Sequence, residues 1–404
     1  MAKLRLLLLF LTIFVVGTLG TLTFLFAKGY RFDSDKGTVG PSGLLVIKSN
    51  PDGAQVFING ELKGATNTTM SLAPGIYDVK VSKESYTKWS KRLEIQKEIV
   101  TEATAHLFKT TLSLTSITGD GVKNPSISPD LSKIAYIITD STTNTEKSGL
   151  WILENINLPL GFSRDPKRVT DGDLTNATWI WSPTSREILL ETLGGSYLLD
   201  TSKFTQQRQL VNITSTKNEI LNKWQTEASE KTQSQLKVLP ETLTELISES
   251  SSSIVFSPDE DMVLYKANKD YDIPNELIKP FPGASTQKQE RHIKSGQTYV
   301  YDIREDRNFL VDSDNETQIV GTWSNKPVVS ERSLVWYPSS RQLILSEKDN
   351  ITIMDYDGTN HQVVYSGSYV APHTFPTYSL DKILILTNLG ATEVLPNLYS
   401  LTIK

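Results

Sequence analysis

The chain has 404 residues, 38% hydrophobic and 22% charged, with a net charge of −5 and no cysteine. That length suffices for two hydrophobic cores. The missing cysteines exclude disulfides and thiolate metal sites, and an acidic balance with scattered Lys and Arg argues against a nucleic-acid partner.

The first predicted element is a transmembrane helix, residues 1–28. Leu6 to Phe26 is an unbroken run of apolar or small residues, and Arg5 is the one charge between Leu4 and Ala27. Such a run crosses a bilayer as a helix, so residues 6–26 are expected to contact lipid. A cleaved signal peptide wants small residues before the cut, whereas Leu25-Phe26-Ala27 places a Leu there, which favours an uncleaved anchor. Lys3 and Arg5 on one side face Lys28 and Arg31 on the other, the latter diluted by Asp33 and Asp35. A short N-terminal tail before the anchor leaves the bulk of such a chain outside. The expectation is a single-pass cell-membrane protein with its N-terminus cytoplasmic.

Residues 29–42 read as a linker, Gly-rich from Lys36 to Gly43. A small β unit follows over 43–108. Leu44-Leu45-Val46-Ile47 leads through Asn50-Pro51-Asp52-Gly53-Ala54 into Gln55-Val56-Phe57-Ile58, and Asn59-Gly60 then supplies a hairpin turn. Gly64, Leu72-Ala73-Pro74-Gly75, the alternating Tyr77, Val79 and Val81, and Tyr86 complete the series. This order resembles the PEGA domain, with Pro51-Asp52-Gly53-Ala54 at the name-giving motif. The resemblance implies a sandwich-like module of bacterial and archaeal surface proteins. Departures, including Ala65-Thr66-Asn67 for the usual Thr-Pro and Ser85 before Tyr86, fall in turns.

From residue 109 onward a phrase repeats: Ile127-Ser128-Pro129-Asp130, Trp181-Ser182-Pro183-Thr184, Phe256-Ser257-Pro258-Asp259, Trp336-Tyr337-Pro338-Ser339 and a worn Tyr378-Ser379-Leu380-Asp381. Each turn leads into an apolar strand such as Lys133-Ile134-Ala135-Tyr136 or Met262-Val263-Leu264-Tyr265, and a second strand follows. Such a unit cannot bury its own apolar face, so copies must stack. With Lys167-Arg168-Val169-Thr170-Asp171-Gly172 before the second copy, the order resembles the repeats of TolB-type and WD-repeat-like β-propellers. The resemblance implies an all-β fold with a C-terminal propeller of five blades, or six, over 109–404. Leu112 to Ile117 would supply the strand missing from the last copy. The Gly usual in the turn is absent from every copy.

Two insertions interrupt the repeats. In 214–250 the period changes to helical: Ile220, Leu221, Trp224 and Ala228 share a face, and Thr216 with Glu219 makes a capping box. Glu219/Lys223 and Glu227/Lys231 are i,i+4 pairs, and Pro240 opens a second helix with Leu243, Leu246 and Ile247. The stripe packs on the propeller or meets a partner. The second insertion, 268–297, contains Pro274, Pro280, Pro282 and Gly283 and reads as a long loop. Its Leu277, Ile278 and Phe281 beside Arg291 and His292 mix apolar anchors with a polar rim, as a protein interface does. Those five are the candidate partner-binding residues, with Ile273 as a further apolar group.

No catalytic, cofactor or metal-ligating residue is assigned. His106, His292, His361 and His373 lack metal spacing, although His361 and His373 could meet across a blade. Gly194-Gly195-Ser196 only partly matches a nucleophile elbow, and Ser85-Tyr86-Thr87-Lys88 lacks the companions of its motif. Asp312-Ser313-Asp314-Asn315-Glu316 and Asp355-Tyr356-Asp357-Gly358 offer oxygen ligands without a calcium-loop spacing. The expected function is therefore a non-enzymatic, membrane-anchored envelope protein whose propeller binds an envelope protein or a glycan. The alternative, a propeller hydrolase or lyase acting on an envelope polymer, needs convergent acid, base or nucleophile groups at inner strand starts.

Overall fold

The computed structural model describes residues 2–27, 29–33, 38–139, 147–155, 165–279, 283–325, 330–391 and 393–404. The chain divides into two compact units: Met1–Leu107 with Pro280–Gln287, and Phe108–Lys279 with Lys288–Lys404.

The first unit begins with α1, Ala2–Ala27. Its stretch Leu7–Ala27 has a mean hydropathy of 2.2 and is wholly unburied, so it is long and apolar enough to cross a membrane. The same length and position suit a signal sequence. Its threonines satisfy their hydroxyls within the helix: Thr12, Thr18, Thr21 and Thr23 donate to carbonyls four residues back at 2.7, 2.7, 2.8 and 2.8 Å.

After α1 the chain forms a hairpin where the composition reads as linker. Strand β1, Tyr30–Asp33, pairs antiparallel with β2, Thr38–Pro41. Ser42 N–H then donates to Gly29 O at 3.0 Å, and the Ser42 hydroxyl bonds the same carbonyl while accepting from Ser71 at 2.8 Å. The hairpin thus returns the chain to the end of the helix.

Beyond it lie β3 (Gly43–Asn50), β4 (Gln55–Ile58), β5 (Glu61–Ala65), β6 (Thr68–Leu72), β7 (Gly75–Ser82), β8 (Trp89–Ile95) and β9 (Val100–His106). They form two sheets, β6-β3-β9 and β5-β4-β7-β8. The alternating residues of β3 and β7 put Leu45, Ile47, Val79 and Val81 into one core with Trp89 and Leu93. Asn59-Gly60 turns with positive φ at both residues, as a type I′ hairpin requires. A Cβ on residue 43 would lie 2.3 Å from Gln96 O, so only glycine fits where β3 starts. Thr286 and Gln287 belong to this unit: Thr286 Oγ1 accepts from Glu94 N at 3.1 Å, and Gln287 Nε2 donates to Arg92 O at 2.6 Å.

Among the described residues the second unit holds five sheets of three or more strands. Strand β10, Ser113–Ser116, comes first in sequence and is paired last. Sheet I is β11 (Lys123–Ile127), β12 (Lys133–Ile138), β13 (Gly149–Glu154) and β14 (Lys167–Asp171). Sheet II is β15 (Thr178–Trp181), β16 (Glu187–Thr192) and β17 (Gly195–Asp200). Helices α2 (Lys217–Leu236) and α3 (Glu241–Ser250) follow. Next come β18 (Ser251–Phe256), β19 (Met262–Ala267), the small hairpin β20 (Tyr271–Asp272) and β21 (His292–Ile293), then β22 (Thr298–Asp302) and β23 (Arg307–Asp312). Sheet III is β18-β19-β22-β23.

Sheet IV contains β24 (Gln318–Ile319), β25 (Ser333–Trp336), β26 (Gln342–Ser346), β27 (Asn350–Asp355) and β28 (Gln362–Ser366). Sheet V is β29 (Thr374–Pro376), β30 (Lys382–Thr387) and β31 (Asn397–Thr402), with β10 at its edge. Ser113 pairs with Thr402 and Ser116 with Tyr399, so the strand expected from Leu112 to Ile117 lies beside the last strand of the chain.

Apolar clusters join these sheets in sequence. Ile137 and Ile152 of sheet I meet Ile188 and Leu199 of sheet II. Leu264 and Val300 of sheet III meet Leu334 and Leu343 of sheet IV. Ile344 and Ile353 continue to Ile383 and Leu401 of sheet V. Leu384 and Leu398 then meet Ile134 and Tyr136 of sheet I. In the chain the helices fall between sheets II and III, and their Leu236, Leu243 and Ile247 pack on Tyr265 and Tyr299 of sheet III.

Helix α2 lacks the expected capping box. Thr216 is the N-cap, but its hydroxyl donates back to Ile213 O at 3.3 Å. Among the described residues the ion pair within α2 is Lys223 with Glu227 at 3.7 Å, in place of the expected Glu219/Lys223 and Glu227/Lys231.

Candidate functional site

The repeated turns share one geometry. In the first, Ser128 N donates to Lys133 O at 2.8 Å and Leu131 N to Ser128 O at 2.9 Å. Ser182 and Glu187, Ser257 and Met262, and Tyr337 and Gln342 repeat the closing bond at 2.9 Å each. The serine hydroxyls are consumed inside the turns: Ser128 donates to Asp130 at 2.6 Å and accepts from Lys133 N at 3.0 Å, and Ser257 does the same with Asp259 at 2.7 Å and Met262 N at 3.1 Å. Burial would raise the Asp130 pKa, but hydrogen bonds from Ser128 and Ser132 outweigh it and hold the carboxyl below its ordinary value.

The fourth turn position is left-handed in four copies. Leu131, Ser185, Glu260 and Ser340 have φ of 60°, 58°, 60° and 61°. Glycine would adopt this conformation freely, and a side chain there costs about 1–2 kcal/mol. Each side chain has a compensating contact. Ser185 Oγ accepts from Asp130 N at 3.3 Å, Ser340 Oγ accepts from Asp259 N at 3.0 Å, and Glu260 accepts from Gln235 Nε2 at 3.0 Å. Leu131 packs against the cluster of sheets IV and V.

These turns converge on one cavity of about 380 Å³. Pro129, Pro183, Pro258 and Pro338 line it from four turns, and the half-exposed Tyr378 from the fifth. Trp323 adds indole surface, its Nε1 bonded to Trp181 O at 2.7 Å, and the buried Trp336 backs the wall with its Nε1 bonded to Val255 O at 3.2 Å. Ala228, Lys231, Thr232 and Gln235 of α2 form one further wall. The helix is held at both ends, by Lys217 with Glu191 of sheet II at 2.6 Å and by Gln235 with Glu260.

The cavity was not among the sequence-derived candidates. Its signal was present all the same, because identical turns in stacked sheets share one face.

The residues proposed from the Pro-rich loop are placed differently. Leu277 packs on the cluster of α3 and sheet III, beside the fully buried Ile293 and near-buried Ile273. The two insertions therefore share one core. Ile278 N donates to Asp306 at 3.4 Å. Arg291 is mostly buried and paired with Asp306 at 2.8 Å, its guanidinium also bonding Pro274 O. His292 is exposed, with Nδ1 2.7 Å from Asp272. Phe281 lies outside the described residues, as do Pro280 and Pro282.

His361 Nε2 meets Gly358 O at 3.1 Å, whereas His373 lies beside Phe375, where burial lowers its pKa to about 4. No group of three or more potential metal-ligating residues occurs among the described residues. At the 312–316 acidic run the cation is a side chain: Arg332 contacts Asp312 at 3.1 Å and Asp314 at 3.6 Å and bonds Glu347.

Residues 42–111 match the family described as PEGA domain. No curated protein matches the chain. Among solved structures, a putative TolB from Agrobacterium tumefaciens aligns at 13% identity and a TM-score of 0.23, over 70% of this chain and 79% of that one. TolB from Acinetobacter baumannii aligns at 12% identity and a TM-score of 0.19, over 81% of this chain and 60% of that one. At these scores the overlays carry no argument, and the architecture rests on the strand pairing itself. A PEGA domain beside a helix apolar enough to cross a membrane fits an envelope-associated protein.

Proposed function

We propose that this protein is a non-enzymatic scaffold of the cell envelope. It is held by α1 as an uncleaved single-pass anchor, N-terminus cytoplasmic, and binds an envelope protein or glycan at the cavity where the repeated turns meet. The five sheets are then the blades of a propeller, closed by β10 on β31 and bridged by α2 and α3 between sheets II and III.

The single observation that carries the reading is the state of the turn hydroxyls at that cavity. Ser128, Ser182 and Ser257 use theirs to close the turns, at 3.0, 3.0 and 3.1 Å from the strand amides of Lys133, Glu187 and Met262. What the turns present outward is proline and aromatic surface with a few polar groups at its rim, a composition suited to recognition. Closing the cavity tests this. Ala228→Trp keeps a residue compatible with a helix while filling the space, and Tyr378→Ala removes an exposed ring. Each should weaken retention of envelope material by about tenfold, which corresponds to ~1.4 kcal/mol, with the melting temperature nearly unchanged. Undiminished retention by both variants would reject the cavity as the binding site.

A further inference from the structure

The first unit exposes three large apolar side chains at one end. Ile76 is 67% exposed, Val100 51% and Leu44 38%. Leu44 and Val100 are partners across β3 and β9, while Ile76 opens β7 next to Gly75, which pairs with Ile95 at the close of β8. Strand starts and ends therefore place all three at the end of the sandwich where β3 begins, Leu44 and Val100 facing outward from one sheet and Ile76 outward from the other.

That end is also where the apolar helix is fastened. Gly29, two residues beyond Ala27, accepts from Ser42 N, and Ser42 O accepts from Glu98 N at 3.0 Å in the β8–β9 turn. Lys97 of the same turn sets its ammonium 5.8 Å from the centre of the Tyr30 ring. The connection between helix and sandwich is thus a hydrogen-bonded joint.

We infer that this end of the sandwich rests on the membrane–water interface, with Leu44, Ile76 and Val100 dipping into the lipid boundary and Lys97 and Tyr30 at headgroup level. The inference rests on reading α1 as a membrane anchor. Continuity selects lipid as the occupant: a helix that leaves the bilayer at Ala27 brings residues 42–44 and 96–100 to the surface with it. Aromatic and basic residues concentrate at that depth, and apolar contact adds to the anchor's own hold. The opposite end, at Ser82, stands about 20 Å from Ile76 along β7, from a rise of ~3.3 Å per residue.

Because the native chain has no cysteine, single-cysteine variants report position cleanly. The full chain is reconstituted into phosphatidylcholine–phosphatidylglycerol vesicles containing nitroxide lipids, with an environment-sensitive fluorophore at Thr12→Cys, Ile76→Cys, Val100→Cys or Glu84→Cys. The expected result is strong quenching at 12 by deep nitroxides, several-fold quenching at 76 and 100 by shallow nitroxides, and none at 84. Quenching at 12 with 76 and 100 as unquenched as 84 would overturn the seating while leaving the anchor in place. An unquenched probe at 12 would overturn the anchor and the seating together. A blue shift at 76 and 100 that depends on protein concentration and not on nitroxide would assign the patch to a second copy and reject the lipid contact. Unaltered thermal unfolding of each labelled variant guards against misfolding.

Discussion

The left-handed residues of the repeated turns give a sharp prediction at Ser340, which is 3% exposed with φ of 61° and accepts from Asp259 N at 3.0 Å. Ser340→Ala removes the acceptor and keeps the strained backbone, so the cost is that of an unsatisfied amide, about 1–2 kcal/mol. Ser340→Gly loses the same bond but relieves a conformation that disfavours any side chain, which returns about 1 kcal/mol after the entropy of the unfolded glycine is counted. Glycine should therefore be the milder substitution, by ~2 °C in melting temperature for a unit of this size. Thermal unfolding of the full chain in detergent, followed by near-UV circular dichroism, reads the difference. Ser185, which accepts from Asp130 N, should behave alike. If alanine and glycine destabilise equally at both sites, or glycine destabilises more, backbone strain is not what the serine offsets.

Further expectations concern other elements. His373 has its pKa lowered from 6.5 to about 4 by burial, so its neutral form stabilises the fold fully above pH 6.5 and this is lost as pH falls through 4; His373→Phe should remove up to about 3 kcal/mol of that acid-side loss in pH-dependent unfolding. Asp302 runs the other way: burial, then the Glu305 charge, raise it from 3.8 to about 6, so its contribution is full below pH 3.8 and lost as pH rises through 6. Asp302→Asn, which keeps an acceptor for the Arg304 and Glu305 amides, should stabilise the fold at pH 7.5 and change little at pH 4. Deleting residues 110–120 removes β10 from β31 and should lower the melting temperature by far more than one surface strand; an unchanged value would disprove closure. Mass spectrometry of the membrane fraction should find Tyr30-Arg31 joined to the preceding apolar segment, and a mature N-terminus near residue 28 would refute the uncleaved anchor. Leu277→Ala, half-buried against the core shared by the two insertions, should cost about 1 kcal/mol through the apolar contact it loses, detectable by the same unfolding assay.

Much of the fold was written locally. The strand alternation of Tyr77, Val79 and Val81, the Asn59-Gly60 turn and the repeated Ser-Pro phrase are short-range signals, and each corresponds to a turn or strand of the structure. What escaped depends on partners distant in sequence. Arg291 looks like an interface rim residue until Asp306 is placed against it, and His373 looks like a loop histidine until Phe375 and its neighbours bury it. The hairpin after α1 sits in a Gly-rich segment, and what fixes it is the bond from Ser42 to Gly29. The absence of Gly from the turns looked like a departure from the repeat; contacts to adjacent turns and to α2 explain three copies.

The binding role of the cavity is tested most directly by a photoreactive phenylalanine placed in the full chain at Tyr378, on the cavity, or at Leu193, which is 94% exposed in the β16–β17 turn. Irradiation of cells should give a discrete adduct from position 378 and none from 193, and adding Ala228→Trp should abolish it. Equal labelling from both positions, or an adduct at 378 that survives Ala228→Trp, would contradict the account.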